Sequence, residues 1–558
     1  MAALTSPEVA PSRRRERAIV VALALALTTI LTYPTIPQLM TSGRLDTGDG
    51  RFSIWNVAWV AHAILASPRH LFDANIFFPH PATLTYSELN LLAGVLATPV
   101  YALTRNAIAA HNSAVAAGLL MAFLAMWVLT RRLTGSSRAG VVAATGYTFC
   151  AYTSAHTAEI QLLMIFGFPL VMLAFHRLAT HRRWQDGVVL GAALAATALA
   201  CGYYGVFAAA VVSVASLFWA ERTRGYWWAL AVAVVASVVF VAPVVVPYFA
   251  ARGAAEVVTR PDVTEIRYYS ADWRAYLTSG TVLDRAWNGV LYRGARMKEV
   301  LFPGWVVTGL AILGVVDTIR QRPQYDRRIV FGYLILSGVA LWASLGSGFG
   351  AYDLLQAVFP GASMLRVPAR LGIVVTFALA VVAAFGYRAI DRRQGVLAWL
   401  LPAALLTALV AELWVPWPLQ EMPPVARAYK MLAELPRGGV VEFPFPYRPD
   451  DFHSHTKAML RSTFNWQPLV NGYSDFIPED FRAFAVPINA FPDPASFELM
   501  RKLQVRYVVF RIADYRGEAQ TRLLARFAPY QAYLRRLTAD QDVWLYEIVA
   551  WPPANPGS

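Results

Sequence analysis

The sequence predicts a mainly helical fold: a polytopic transmembrane bundle of about eleven spans with a small extracytoplasmic C-terminal α/β domain. Three observations lead there. Hydrophobic residues make up 57% of the 558 positions and charged residues only 15%, with a mean hydropathy of +0.43, whereas soluble domains run near ~25% charged. Apolar runs long enough to cross a hydrocarbon core recur up to residue 414 and then stop. Beyond 414 the pattern changes to short strand-like runs alternating with helical ones. The same composition excludes a disordered chain, and two cysteines in the whole chain exclude a disulfide-stapled module.

The net charge of +14 is distributed in a telling way: residues 1–414 carry +13 and residues 415–558 only +1. Arginines cluster between apolar runs, which orients a membrane protein. A nucleic-acid site would instead gather charge on one soluble face, so no nucleic-acid partner is expected.

In chain order, residues 1–17 form a polar tail, and spans are expected near 18–38, 111–130, 139–155, 159–178, 187–203, 204–220, 226–249, 300–318, 329–346, 369–388 and 395–414. With the tail cytoplasmic, the clusters Arg13–Arg17, Arg131/Arg132/Arg138, Arg177/Arg182/Arg183, Arg222/Arg224, Arg320/Arg322/Arg327/Arg328 and Arg388/Arg392/Arg393 all fall inside. Counting the apolar run 87–104 as a crossing would invert every later loop, so it reads as a re-entrant or membrane-surface helix, as Pro99 and its length suggest. The domain 18–414 then carries a first outer loop, 39–110, and a second, 250–299. Residues 415–558 form the exported domain, with strands expected at 438–443, 505–511 and 543–548 and helices at 424–435 and 495–503. Cys150 and Cys201 fall in spans and read as small buried residues.

The first outer loop begins Arg44-Leu-Asp-Thr-Gly-Asp-Gly-Arg51, which sets Asp46 and Asp49 at the mouth of the bilayer ahead of an amphipathic helix from about residue 53 to 66. Ile54, Trp55, Ala58 and Trp59 fit a helix lying on the membrane surface. Asn75-Ile-Phe-Phe-Pro79 and Tyr86-Ser-Glu88 follow, in a loop longer than a connection requires. Asp46 and Asp49 suit a helix cap or turn as well as chemistry.

This layout and the Gly48-Asp49-Gly50 turn leading to Trp55-Asn56 and Asn75–Pro79 resemble the GT-C superfamily, membrane glycosyltransferases that use polyprenyl-phosphate-linked sugars, and within it a bacterial branch. The resemblance covers most of residues 15–414. It implies an inverting transfer from a polyprenyl-phosphate sugar to a glycan, lipid or protein acceptor of the cell envelope, outside the inner membrane. It implies no cofactor and no metal, and an Asp of the first outer loop as catalytic base, which carries over to Asp49 first and Asp46 second. Many relatives have two adjacent acidic residues here, whereas Thr47 and Gly48 separate this pair. A single carboxylate suits the reaction: a lipid phosphate leaves without a second acid, and one base takes the acceptor's proton.

Arg366 and Arg370 flank Pro368 at the entrance to a span, on the outer side and against the orientation trend. Guanidinium pairs bind phosphate oxygens, so these are the candidate donor-phosphate residues; snorkelling to ordinary lipid headgroups is the alternative. His156 and Glu159, one helical turn apart on the same side, are possible substrate contacts or a structural pair at a helix end, and Glu88 and Asn75 are further possible substrate contacts. Tyr203 and Tyr204 suit interface anchors. The stretch Asn465–Asp475 is rich in groups that stack on and bond to sugars, and equally in ordinary loop residues. Two rival classes are a lipid-linked glycan flippase, which requires paired charges at mid-membrane, and a non-catalytic envelope assembly factor whose exported tail is the working part.

Overall fold

The computed structural model describes residues 13–221, 223–252, 262–281, 300–321, 323–359, 362, 365–391, 396–515, 517–540 and 542–553. Most of the expected second outer loop and the arginines Arg222, Arg322, Arg392 and Arg393 therefore lie outside the described residues. The chain divides into two compact units: Met1–Gln38 with Ala114–Val244 and Val257–Pro418, and Leu39–Ser113 with Val245–Glu256 and Leu419–Ser558.

The first unit is helical. Across the described chain, Ala107–Thr134, Arg224–Ala250, Gln324–Ser344 and Pro368–Ile390 are long and apolar enough to cross a membrane, and the protein is an integral membrane protein. Trp184–Ala200, Gly202–Phe218 and Trp399–Leu413 are apolar but shorter. The expected spans 139–155 and 159–178 are not continuous: the chain runs as Ser137–Thr148, Ala151–Ala155, Ile160–Leu163 and Gly167–His181. Breaks of this kind leave carbonyls without helical partners, and in an apolar setting side chains must replace them. Two tyrosines do so, the hydroxyl of Tyr147 donating to the carbonyl of Ile165 and that of Tyr204 to the carbonyl of Leu162, both at 2.7 Å. Pairing of aromatic hydroxyls with backbone was not visible in an apolarity profile, which reads both stretches as plain spans.

Helices Trp305–Gln321 and Gly372–Ile390 cross at small residues. A Cβ on Gly386 would lie 1.8 Å from the carbonyl oxygen of Leu310, so only glycine permits this approach. The start of Trp305–Gln321 is capped from outside: the Glu412 carboxylate accepts the backbone N–H groups of Trp305 and of Val306.

The second unit joins Leu39–Ser113, which contains the stretch expected as the first outer loop, to the tail. Its elements are β1 (Ser42–Gly43), α1 (Gly48–Ala66), α2 (Leu91–Thr104), β2 (Gln420–Glu421), α3 (Arg427–Glu434), β3 (Gly439–Phe443), α4 (Thr456–Ser462), α5 (Pro494–Lys502), β4 (Val505–Arg511), α6 (Glu518–Phe527), β5 (Leu534–Ala539) and β6 (Val543–Ile548). β1 and β2 pair antiparallel. The larger sheet has the order β3-β4-β6-β5, with β3 parallel to β4 and the other pairs antiparallel. Its strands are buried almost throughout β3 and β4, and one apolar core runs from Trp55 and Trp59 through Phe77 to Val508 and Leu545.

α1 differs from the helix expected here. It starts at Gly48 and is buried nearly all round, from Ile54 through Ala61. A helix apolar on all faces packs inside a core. The indoles of Trp55 and Trp59 accordingly turn inward, donating to Asn75 Oδ1 at 3.1 Å and to the carbonyl of Leu71 at 2.9 Å, so this helix does not lie on a lipid surface. The exposed apolar face belongs to α2, where Val95 and Leu103 stand out on the side opposite Gly94, which packs against Val60.

Candidate active site

In the second unit, the loop between β1 and α1 carries Asp46 and Asp49. Thr47 caps α1, its hydroxyl accepting the N–H of Gly50 at 3.1 Å. Asp49 therefore lies in the first turn, where the helix dipole favours an anion. The turn is tight for a steric reason: a Cβ at Gly50 would lie 2.1 Å from the carbonyl oxygen of Arg44, and one at Gly48 would lie 3.2 Å from Cβ of His453. Both carboxylates are exposed. Asp46 is held by Arg44 in a two-bond fork, Nε to Oδ1 at 2.9 Å and Nη2 to Oδ2 at 3.1 Å. Asp49 is exposed on the first turn of the helix.

Arg51 lies beneath this loop, 8% exposed. Its Nε donates to Thr456 Oγ1 on α4 at 3.0 Å, and its Nη1 donates to the carbonyl of Leu45. Burial lowers the Arg51 pKa, while the charges of Asp46 and Asp49 act in the opposite direction. Residue-type reasoning did not single out Arg51, although a cation in the first turn of a helix opposes the dipole and was the available signal.

Asn75, a possible substrate contact from the sequence, is instead a core residue. It is 5% exposed, its oxygen accepts from Trp55, and its amide nitrogen donates to Ser462 Oγ at 3.1 Å and to the Gln467 carbonyl at 3.0 Å. Glu88 is half-buried, and its carbonyl accepts from Asn56 Nδ2 at 3.2 Å. The tail stretch around Asn465–Asp475 is similarly engaged. Asn471 pairs with both backbone groups of Glu442, and the Trp466 indole stacks on His62 at 4.7 Å while donating to the Tyr101 hydroxyl at 2.8 Å. Burial, with Arg105 and Arg437 nearby, pushes the His62 pKa down to about 4, so this imidazole is neutral at physiological pH.

In the first unit, Glu159, Arg366 and Arg370 come together around Tyr203. Pro368 opens a 3-10 turn, Pro368–Leu371, that leads into the helix Gly372–Ile390. The Arg370 guanidinium lies over the Tyr203 ring at 4.4 Å and 3.8 Å from Glu159. The backbone N–H of Arg366 donates to the Tyr203 hydroxyl at 3.2 Å, and its guanidinium lies 3.7 Å from Glu265. Arg370 is largely enclosed, at 15% side-chain exposure, whereas Arg366 is half exposed, at 48%. His156 is 4% exposed, its Nδ1–H donates to the Tyr152 carbonyl at 2.8 Å, and its ring lies against that of Tyr152. Tyr203 is thus more than an interface anchor, a role that no spacing pattern reveals. Among the described residues, no group of three or more His, Cys, Asp and Glu side chains is placed to hold a metal ion.

No family model matches the sequence, and no match is found among curated proteins. Solved structures do match. The chain is similar to the arabinofuranosyltransferase AftD from mycobacteria, with a TM-score of 0.56 and 15% identity, covering 98% of this chain and 42% of that one. It thus spans less than half the length of that protein. It is also similar to the oligosaccharyltransferase of Archaeoglobus fulgidus, with a TM-score of 0.50 and 13% identity, covering 92% of this chain and 71% of the other. The chain has the fold of the GT-C glycosyltransferases.

Proposed function

We propose that the protein is an inverting membrane glycosyltransferase that moves a sugar from a polyprenyl-phosphate donor to a cell-envelope acceptor on the outer side of a bacterial inner membrane. The observation that carries this reading is the exposed carboxylate of Asp49 in the first turn of a buried helix, where the helix dipole favours an anion. The names of the two structural neighbours, an arabinofuranosyltransferase and an oligosaccharyltransferase, support sugar transfer as the reaction class.

Asp49 takes the proton from the acceptor hydroxyl. The oxygen attacks the anomeric carbon opposite the phosphate, the carbon–oxygen bond to phosphate breaks, and the polyprenyl phosphate leaves with the electron pair. Arg366 and Arg370 hold that phosphate and stabilise the charge it gains. Glu159 and Tyr203 orient Arg370, and the phosphate needs no acid to leave. The test uses the purified full chain in lipid nanodiscs with polyprenyl phosphates carrying arabinofuranose, mannose, glucose or galactose. Transfer with inverted anomeric configuration, lost in an Asp49→Asn variant, is expected. Retained configuration, or normal transfer by an Asp46→Asn, Asp49→Asn double variant, overturns the assignment.

A further inference from the structure

Arg51 is an expensive residue where it stands. A buried cation loses its hydration, and at the start of a helix it faces the positive end of the dipole. Among the described residues, no carboxylate lies within ion-pair distance of it, and its hydrogen bonds go to a backbone carbonyl and a hydroxyl. An apolar side chain of similar volume would fill the same space at lower cost. Its contribution therefore lies in what its bonds connect. They join the backbone just before Asp46 to Thr456 on α4, 405 residues beyond Arg51. Thr456 is itself fixed, its hydroxyl donating to the carbonyl of His453, the residue on which Gly48 packs. The loop bearing both carboxylates is thus held at Gly48 and Arg51 by one short segment of the tail, residues 453–456, and Arg51 in turn holds the carbonyl of Leu45.

We infer that Arg51 is a positioning residue for the carboxylate loop, and that through Thr456 the tail domain sets where Asp49 stands. This rests on the reading of Asp49 as the base. A second consequence follows from charge alone: a guanidinium beneath the loop favours the ionised form of a neighbouring carboxylate, which is the form a base requires.

The test takes the full chain in nanodiscs with whichever polyprenyl-phosphate sugar the wild type consumes, and measures kcat, KM and the pH profile. Arg51→Met keeps volume and removes charge, Thr456→Val removes the acceptor while keeping shape, and Thr456→Ser restores it. Expected for Arg51→Met are a kcat lower by about tenfold or more, a donor KM within about twofold, and an acid limb moved to higher pH. Thr456→Val moves the rate the same way by less, and Thr456→Ser resembles the wild type. If Arg51→Met does not fold, the Thr456 pair carries the test. Wild-type kcat and acid limb in Thr456→Val, or in a folded Arg51→Met, overturn the inference while loss of transfer in Asp49→Asn leaves the base in place. Transfer retained by Asp49→Asn overturns the base itself.

Discussion

Arg44 grips Asp46 through both carboxylate oxygens, at 2.9 and 3.1 Å, and the loop that carries this fork also carries Asp49 three residues later. A two-bond fork to one guanidinium fixes the conformation of the turn, and that is the role the geometry supports for Asp46. Asp46→Asn and Arg44→Gln should therefore have similar, moderate effects on initial transfer rates, about tenfold or less, whereas Asp49→Asn should cost about 10² to 10⁴, the usual range for a general base. Equal losses in Asp46→Asn and Asp49→Asn would reverse the assignment.

The Tyr203 ring and hydroxyl serve different arginines, the face lying under Arg370 and the hydroxyl accepting from the Arg366 backbone. Tyr203→Phe keeps the stack and loses the bond; Tyr203→Leu loses both. A cation–π contact is worth about 0.5–2 kcal/mol, so donor KM should rise several-fold from Phe to Leu at this position if Arg370 holds the phosphate. Identical KM values for the two variants would show that the stack has no bearing on donor binding.

Glu412 closes the amino end of the helix Trp305–Gln321 by accepting two backbone N–H groups, and it is 5% exposed. Removing the carboxylate leaves buried donors unmet, which costs about 1–3 kcal/mol. Thermal unfolding followed by tryptophan fluorescence should therefore show Glu412→Ala well below wild type and Glu412→Gln between them, since an amide oxygen still accepts. Transfer per folded molecule should not change.

Much of the tail was legible from period and turn residues. The run 505–511 is β4 and 543–548 is β6, residue for residue, because β-branched and aromatic content between turn residues marks short strands well. β5, with Arg535 and Arg536 exposed, carries too little apolar pattern to announce itself. Helix α1 failed in the other direction. Its apolar residues are real, but part of what covers them comes from far away in sequence, Trp466 lying against Trp59 and Tyr473 against Phe52, and a periodic pattern does not say whether lipid or protein meets them. The same limit applies to the site. Asp49 and Arg370 could be named from residue type and place, whereas Arg51, Thr456 and Tyr203 acquire their roles only from contacts made over long chain separations.

His455 gives the tail a pH dependence with a defined sign. It is 1% exposed, its Nε2–H donates to the Pro446 carbonyl at 3.0 Å, and its Nδ1 accepts from Asn471 Nδ2 at 3.3 Å, so the neutral ring satisfies both neighbours. Burial pushes its pKa down from 6.5 to about 3, against the opposing influence of the Pro446 carbonyl and Asp451. The folded value lies below the unfolded one, so this contribution to stability is complete above pH 6.5 and is lost as the pH falls towards about 3. Within that window each pH unit changes stability by up to about 1.4 kcal/mol. His455→Gln removes the titration: its unfolding temperature should start lower at neutral pH and fall less steeply with acid than that of the wild type. Parallel curves for the two proteins would show that another group drives the acid sensitivity.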